Sequence, residues 1–179
     1  MSRVAVPAVL IAAAVILAGC GKSAEMKKME ADLFSSLKQM HDEGMDLMVK
    51  ARDLSDEVDQ AIASYDSLAA AHPKETAGHT MDDLKVAKLK LAGAMTAMND
   101  WMAALRPYED GMKHEDAMAL LGGEKDGIVK VKGQFDEAIA SASASLRSQK
   151  AFADELAGKF AKGKSPSSVA RRNKNAGVE

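Results

Sequence analysis

From Ala24 to Ala71 the apolar positions fall three or four residues apart: Met26, Met29, Leu33, Leu37, Met40, Gly44, Leu47, Ala51, Leu54, Val58, Ala61, Tyr65 and Leu68. One face of a helix recurs every 3.6 residues, so this spacing predicts a single helix over 24–71. At 1.5 Å rise per residue it is about 70 Å long. Gly44 is its one soft spot, costing about 1 kcal/mol against alanine. A helix of this length needs a partner along its side. His72-Pro73 ends it, because the residue before proline avoids the helical region. After a polar connection, Thr80 with Asp83 resembles a helix-start box. Leu84, Ala87, Leu91, Met95, Met98, Met102 and Leu105 then predict a second helix over 80–106, stopped by Pro107. A short helix over 114–121 follows, then a break at Gly122-Gly123. A long helix over 124–160 carries Ile128, Val131, Phe135, Ala138 or Ile139, Ala142, Leu146, Phe152 or Ala153, Leu156 and Phe160. The Ala/Ser alternation from Ala138 to Ser145 reads as a small-residue helical face rather than a strand.

Each stripe can be buried only against other helices, and the connections are short. The expected fold is therefore all-α: an elongated antiparallel three-helix bundle with long helices and coiled-coil-like seams. Near-heptad spacing in the first seam makes an elongated coiled-coil dimer the competing architecture. Sparse Val, Ile and Thr beyond Cys20, with abundant Ala, Leu, Met, Lys and Glu, agree with helices throughout. The chain divides as 1–19, a segment to be removed; 20–160, the bundle; and 161–179, a basic tail. That tail lacks apolar periodicity and holds five Lys or Arg against one Glu, so it is expected to be disordered. It is a solvated terminus or an electrostatic contact with anionic lipid or peptidoglycan carboxylates.

Composition narrows the chemistry. The 179 residues carry a net charge of -2, which gives no reason to expect nucleic acid as a partner. A single cysteine excludes an intramolecular disulfide and any multi-cysteine zinc site. That cysteine is Cys20, and it follows an uncharged apolar run from Val4 to Ala18 with Arg3 before it. Fifteen residues is short of the roughly 20 needed to cross a membrane and suits the apolar stretch of a signal peptide.

Leu17-Ala18-Gly19-Cys20 resembles the lipobox of bacterial lipoproteins. The resemblance implies diacylglyceryl transfer to the Cys20 thiol, cleavage before Cys20 and acylation of the new amino terminus. Stable anchoring takes two hydrophobic signals, and two or three chains on one residue supply them. Gly21 stands where inner-membrane lipoproteins of Gram-negative bacteria typically carry Asp, so for such a host the resemblance favours the outer membrane, facing the periplasm.

Methionine and histidine form the one unusual pattern. His41 and Met45 lie four apart on the first helix, and Met112, His114 and Met118 surround the last loop. Thioether and imidazole together select monovalent copper. Pairing the first two helices about a turn near residue 76 sets 54 opposite about 98 and 41 opposite about 111. That register makes His41, Met45, Met112 and His114 a candidate copper site at one end of the bundle. The competing reading is that the methionines are core fillers. Trp101 is expected to anchor the bundle with its indole N–H at a polar edge. His72 and His79 are expected in a solvated connection. No GxSxG, HExxH or P-loop spacing occurs, so the expectation is not an enzyme.

The strings MHDEGMDLM at 40–48, AMTAMNDWM at 94–102 and EKDGIVKVK at 124–132 resemble small exported helical proteins of Bacteroidota loosely labelled "viral A-type inclusion protein". Gly44 stands where those more often have Val, and Asp46 where they have Pro. The resemblance implies an all-helical exported protein and supplies no catalytic residue. The functional expectation is a lipid-anchored cell-envelope protein. It would meet the membrane through its anchor and associate with envelope proteins or itself through its outer faces, with no cofactor. The alternative is a metal or small-ligand carrier.

Overall fold

The computed structural model describes residues 22–163, and the side chains through Ala161. Three helices make up the fold: α1 (Ala24–Ala71), α2 (Asp82–Ala104) and α3 (His114–Gly163). They pack side by side as an all-α three-helix bundle, with α2 running against α1 and α3 covering both. Cys20, the apolar run before it and the tail from residue 164 onward lie outside the described residues.

α1 has the expected bounds. The Ser23 hydroxyl accepts from the Met26 N–H at 3.2 Å, satisfying one of the orphan donors of the first turn. At the other end the His72 N–H donates to Leu68 O at 2.9 Å before Pro73 turns the chain away. Its buried residues are Glu30, Leu37, Gly44, Ala51 and Val58, a strict seven-residue repeat facing α2 and α3. α2 begins at Asp82, not at Thr80, and its N-cap is Met81 without a side-chain cap. Asp82 and Asp83 in its first turn favour the positive end of the helix dipole instead.

The expected break at Gly122-Gly123 does not occur, and 114–121 and 124–160 are one helix. Each glycine costs about 1 kcal/mol of helix propensity. The flanking Leu120, Leu121 and Ile128 are buried, and packing of this kind outweighs that local cost. α3 also runs to Gly163, three residues past the expected end of the helix at 160.

The register of α1 on α2 differs from the expected one by ten residues. His41 lies against Trp101 at 6.1 Å between ring centroids, not opposite 111. Met98 meets Gly44, not residue 54. Both pairs are symmetric about residue 71, so the chain reverses at the end of α1 rather than at the middle of the connection. Residues after Pro73 already run back along α1. There the Tyr65 hydroxyl donates to Thr76 O at 3.4 Å and to His79 O at 2.7 Å. Gly78, at φ 85, supplies the left-handed residue that this reversal needs.

Phe135, Leu91, Met98, Leu121, Ile128 and Val58 are fully buried along the axis. Met40, Met48, Met95 and Met102 pack against this core, as the core-filler reading expects. A lysine–carboxylate pair also joins each pair of helices: Asp59 with Lys88, Glu137 with Lys90 at 2.8 Å, and Glu43 with Lys132. These pairs are partly exposed and contribute at most about 1 kcal/mol each.

Candidate functional site

The most unusual chemistry lies at the end of the bundle nearest Cys20 in sequence. Glu30 occupies the first position of the buried α1 stripe and is 1% exposed. A lone carboxylate there would be too costly, so the fold must bring donors to it. Three arrive from separate segments. Lys22 Nζ, two residues after Cys20, donates to Oε2 at 2.5 Å. The Tyr108 hydroxyl, in the α2–α3 loop, donates to Oε2 at 2.7 Å. His114 Nδ1, at the start of α3, lies 2.8 Å from Oε1. An ionised carboxylate only accepts, so this nitrogen carries the proton.

The electrostatics follow from those partners. The Lys22 hydrogen bond first, then that of Tyr108, with a smaller part from His114, hold Glu30 down at about 2 against the opposing effect of burial. The Tyr108 phenol is pushed up to about 12, chiefly by its hydrogen bond to that carboxylate and secondly by burial. A group ionised this far below neutrality is poorly matched to proton transfer near pH 7. The geometry is that of a lock joining the amino-terminal strand of chain, the α2–α3 loop and the start of α3. Beside it Phe34 packs on Tyr108 at 5.6 Å, and both line an open cleft of about 580 Å³ with Lys22, Lys27 and Asp110.

A second polar cluster closes the opposite end. His79 Nε2 is 2.9 Å from Gln149 Oε1, and its ring stacks on Phe152 at 3.6 Å and 3°. The ring of His72 lies 4.2 Å from that of Phe160. Both histidines lie in a largely exposed connection, as expected, but are half-buried there against aromatic rings of α3. The sequence pattern placed them in a loop correctly but could not show that the loop folds back on α3.

The four candidate copper ligands are not brought together. His41 sits against Trp101, with Nδ1 3.2 Å from Asp42 Oδ1. His114 is held by Glu30, eleven positions from His41 along α1, or about 16 Å of helix rise. Met112 shares a shallow depression with His114 and Met26, while Met45 stands one position from Gly44, which faces Met98. The ten-residue difference in register separates the two halves of the set. Among the described residues no group of three or more His, Cys, Asp or Glu is disposed to hold a metal ion.

Trp101 is 9% exposed and its Nε1 donates to Glu124 O at 3.2 Å, the polar edge expected of a bundle anchor. Glu30 itself escapes the sequence pattern because the apolar seam runs through its neighbours Met26, Met29 and Leu33. The signal was present: it stands one heptad before Leu37, on the same stripe as Gly44, Ala51 and Val58. Comparison with protein-family models, with curated protein sequences and with solved structures gives no match for this chain.

Proposed function

We propose that this chain is a lipid-anchored helical bundle of the bacterial cell envelope, acting as a non-enzymatic structural or interaction protein through the outer faces of its helices. The observation that carries the reading is Cys20. The only cysteine of the chain follows Leu17-Ala18-Gly19 at the end of a 15-residue apolar run. A thiol is the nucleophile that lipid transfer requires. The reading is supported by the character of the bundle, since no helix among the described residues is long and apolar enough to cross a membrane. In a Gram-negative host, Gly21 after the cysteine favours the outer membrane with the bundle facing the periplasm.

The test is fractionation of a bacterium expressing the full chain or Cys20→Ala, followed by detergent-phase partition. The full chain is expected in membranes and in the detergent phase, and Cys20→Ala in the aqueous phase. Equal partition of the two would remove the anchor from the account.

A further inference from the structure

α3 starts at His114, which meets Glu30, so the first turns of α1, carrying Met26 and Met29, are flanked by the α2–α3 loop rather than by a helix, with Met26 in a depression shared with Asp110 and Met112. Met26 and Met29 are 40% and 46% exposed, although they continue the apolar seam that is buried further along the helix. The same end is the end next to Cys20. Only Gly21 and Lys22 separate that residue from the Ser23 cap of α1. Three residue steps span at most about 11 Å. One headgroup layer is half the difference between a bilayer of about 40–45 Å and a hydrocarbon core of about 30 Å, about 5–8 Å, so even the fully extended tether leaves the start of α1 within a few ångströms of that layer. The tether is also not free to swing. Lys22 is bound to Glu30 at 2.5 Å and its side chain is only 12% exposed.

We propose that this end of α1, with the exposed Met26 and Met29, is seated in the headgroup region of the lipid bilayer, and that the Lys22–Glu30 clamp fixes the bundle in that seat. The proposal rests on the reading of Cys20 as the acylated residue. A bilayer is the occupant favoured over a second copy because an acyl anchor this short leaves the first turn of α1 against the lipid surface. Headgroup charge is not what holds it: Lys27, Lys28 and Lys113 are outnumbered by Glu25, Asp32, Asp110, Glu115 and Asp116 at this end. The contact is apolar, and zwitterionic lipid suffices.

The experiment uses the full chain purified from bacterial membranes, its acylation read first by intact mass. Met29→Cys and, as a control on α2, Val86→Cys are labelled with a thiol-reactive environment-sensitive dye. The acylated sulfur of Cys20 is a thioether and does not react. The proteins are reconstituted in phosphatidylcholine vesicles containing lipid brominated near the headgroup. The label at position 29 is expected to shift to the blue and lose about half its emission to the bromines, while that at 86 does neither. Lys22→Ala is expected to reduce the quenching at 29 with acylation and helix content unchanged. If the acylated protein shows equal emission at 29 and 86, the seat is overturned while the anchor stands. A blue shift at 29 without bromine quenching, together with a dimer on cross-linking, assigns the face to a second copy and also overturns it. Unchanged quenching in Lys22→Ala overturns the clamp. A mass without acyl chains overturns the anchor and the seat together.

Discussion

Glu30 holds a negative charge at a position where its heptad neighbours are Leu37 and Gly44. Its carboxylate is stable there because Lys22, Tyr108 and His114 all reach it, and no buried side-chain polar atom among the described residues lacks a partner. Because its folded pKa of about 2 lies below the ordinary 4.5, Glu30 contributes stability that is present above pH 4.5 and is lost as pH falls toward 2. Thermal unfolding of the native chain and Glu30→Gln from about pH 6 to pH 2 checks this. The native chain is expected to melt higher at the upper end, with the gap closing below pH 4.5. A gap independent of pH would show that the charge contributes nothing. Tyr108 has the opposite dependence: its pKa is raised from 10 to about 12, so its contribution is intact below pH 10 and is lost as pH rises through 12. At this scale the sequence was legible where residue type alone decides, as for Trp101 and its bonded indole N–H. It was not legible at Glu30. A charged residue on a core stripe declares itself only through donors 8, 78 and 84 positions away.

The helices were legible because their apolar period is long and unbroken, which fixes type and extent together. Where the pattern suggested a break, at Gly122-Gly123, glycine was the cause, since its propensity is the same whether it breaks a helix or admits a neighbour. The structure separates the two uses. A Cβ on Gly127 would lie 2.8 Å from Cδ1 and Nε1 of Trp101, a rigid ring held by its bond to Glu124 O. A Cβ on Gly133 would meet nothing within 4 Å. Gly127→Ala is therefore expected to destabilise the bundle by about 1–3 kcal/mol in spite of better helix propensity. Gly133→Ala is expected to stabilise it by about 0.5–1 kcal/mol. Denaturant unfolding of both variants gives the signs directly, and stabilisation by both would refute the close approach of Trp101. Gly44 is the intermediate case. Its nearest neighbour is the mobile Met98 Cε, with Ile128 Cδ1 at 3.3 Å, so alanine there is accommodated by rotation of the methionine.

For the whole molecule, a three-helix bundle followed from three seams and short connections, and the structure has that architecture. The register did not follow, because periodicity is blind to where in a connection the chain reverses. Reversal at His72-Pro73 rather than near residue 76 moves α2 by ten residues along α1, and this separates His41 from the His114 end. In its place the fold gathers Lys22, Glu30, Tyr108 and His114 at the end nearest Cys20, so the bundle is locked closest to its proposed attachment. The central claim is that attachment, and the intact mass of the protein extracted from bacterial membranes tests it most directly. The account predicts a chain beginning at Cys20, with residues 1–19 absent, heavier than its sequence by a diacylglyceryl group and an amide-linked acyl chain. A mass that retains residues 1–19, or a chain starting at Cys20 without lipid, would contradict it.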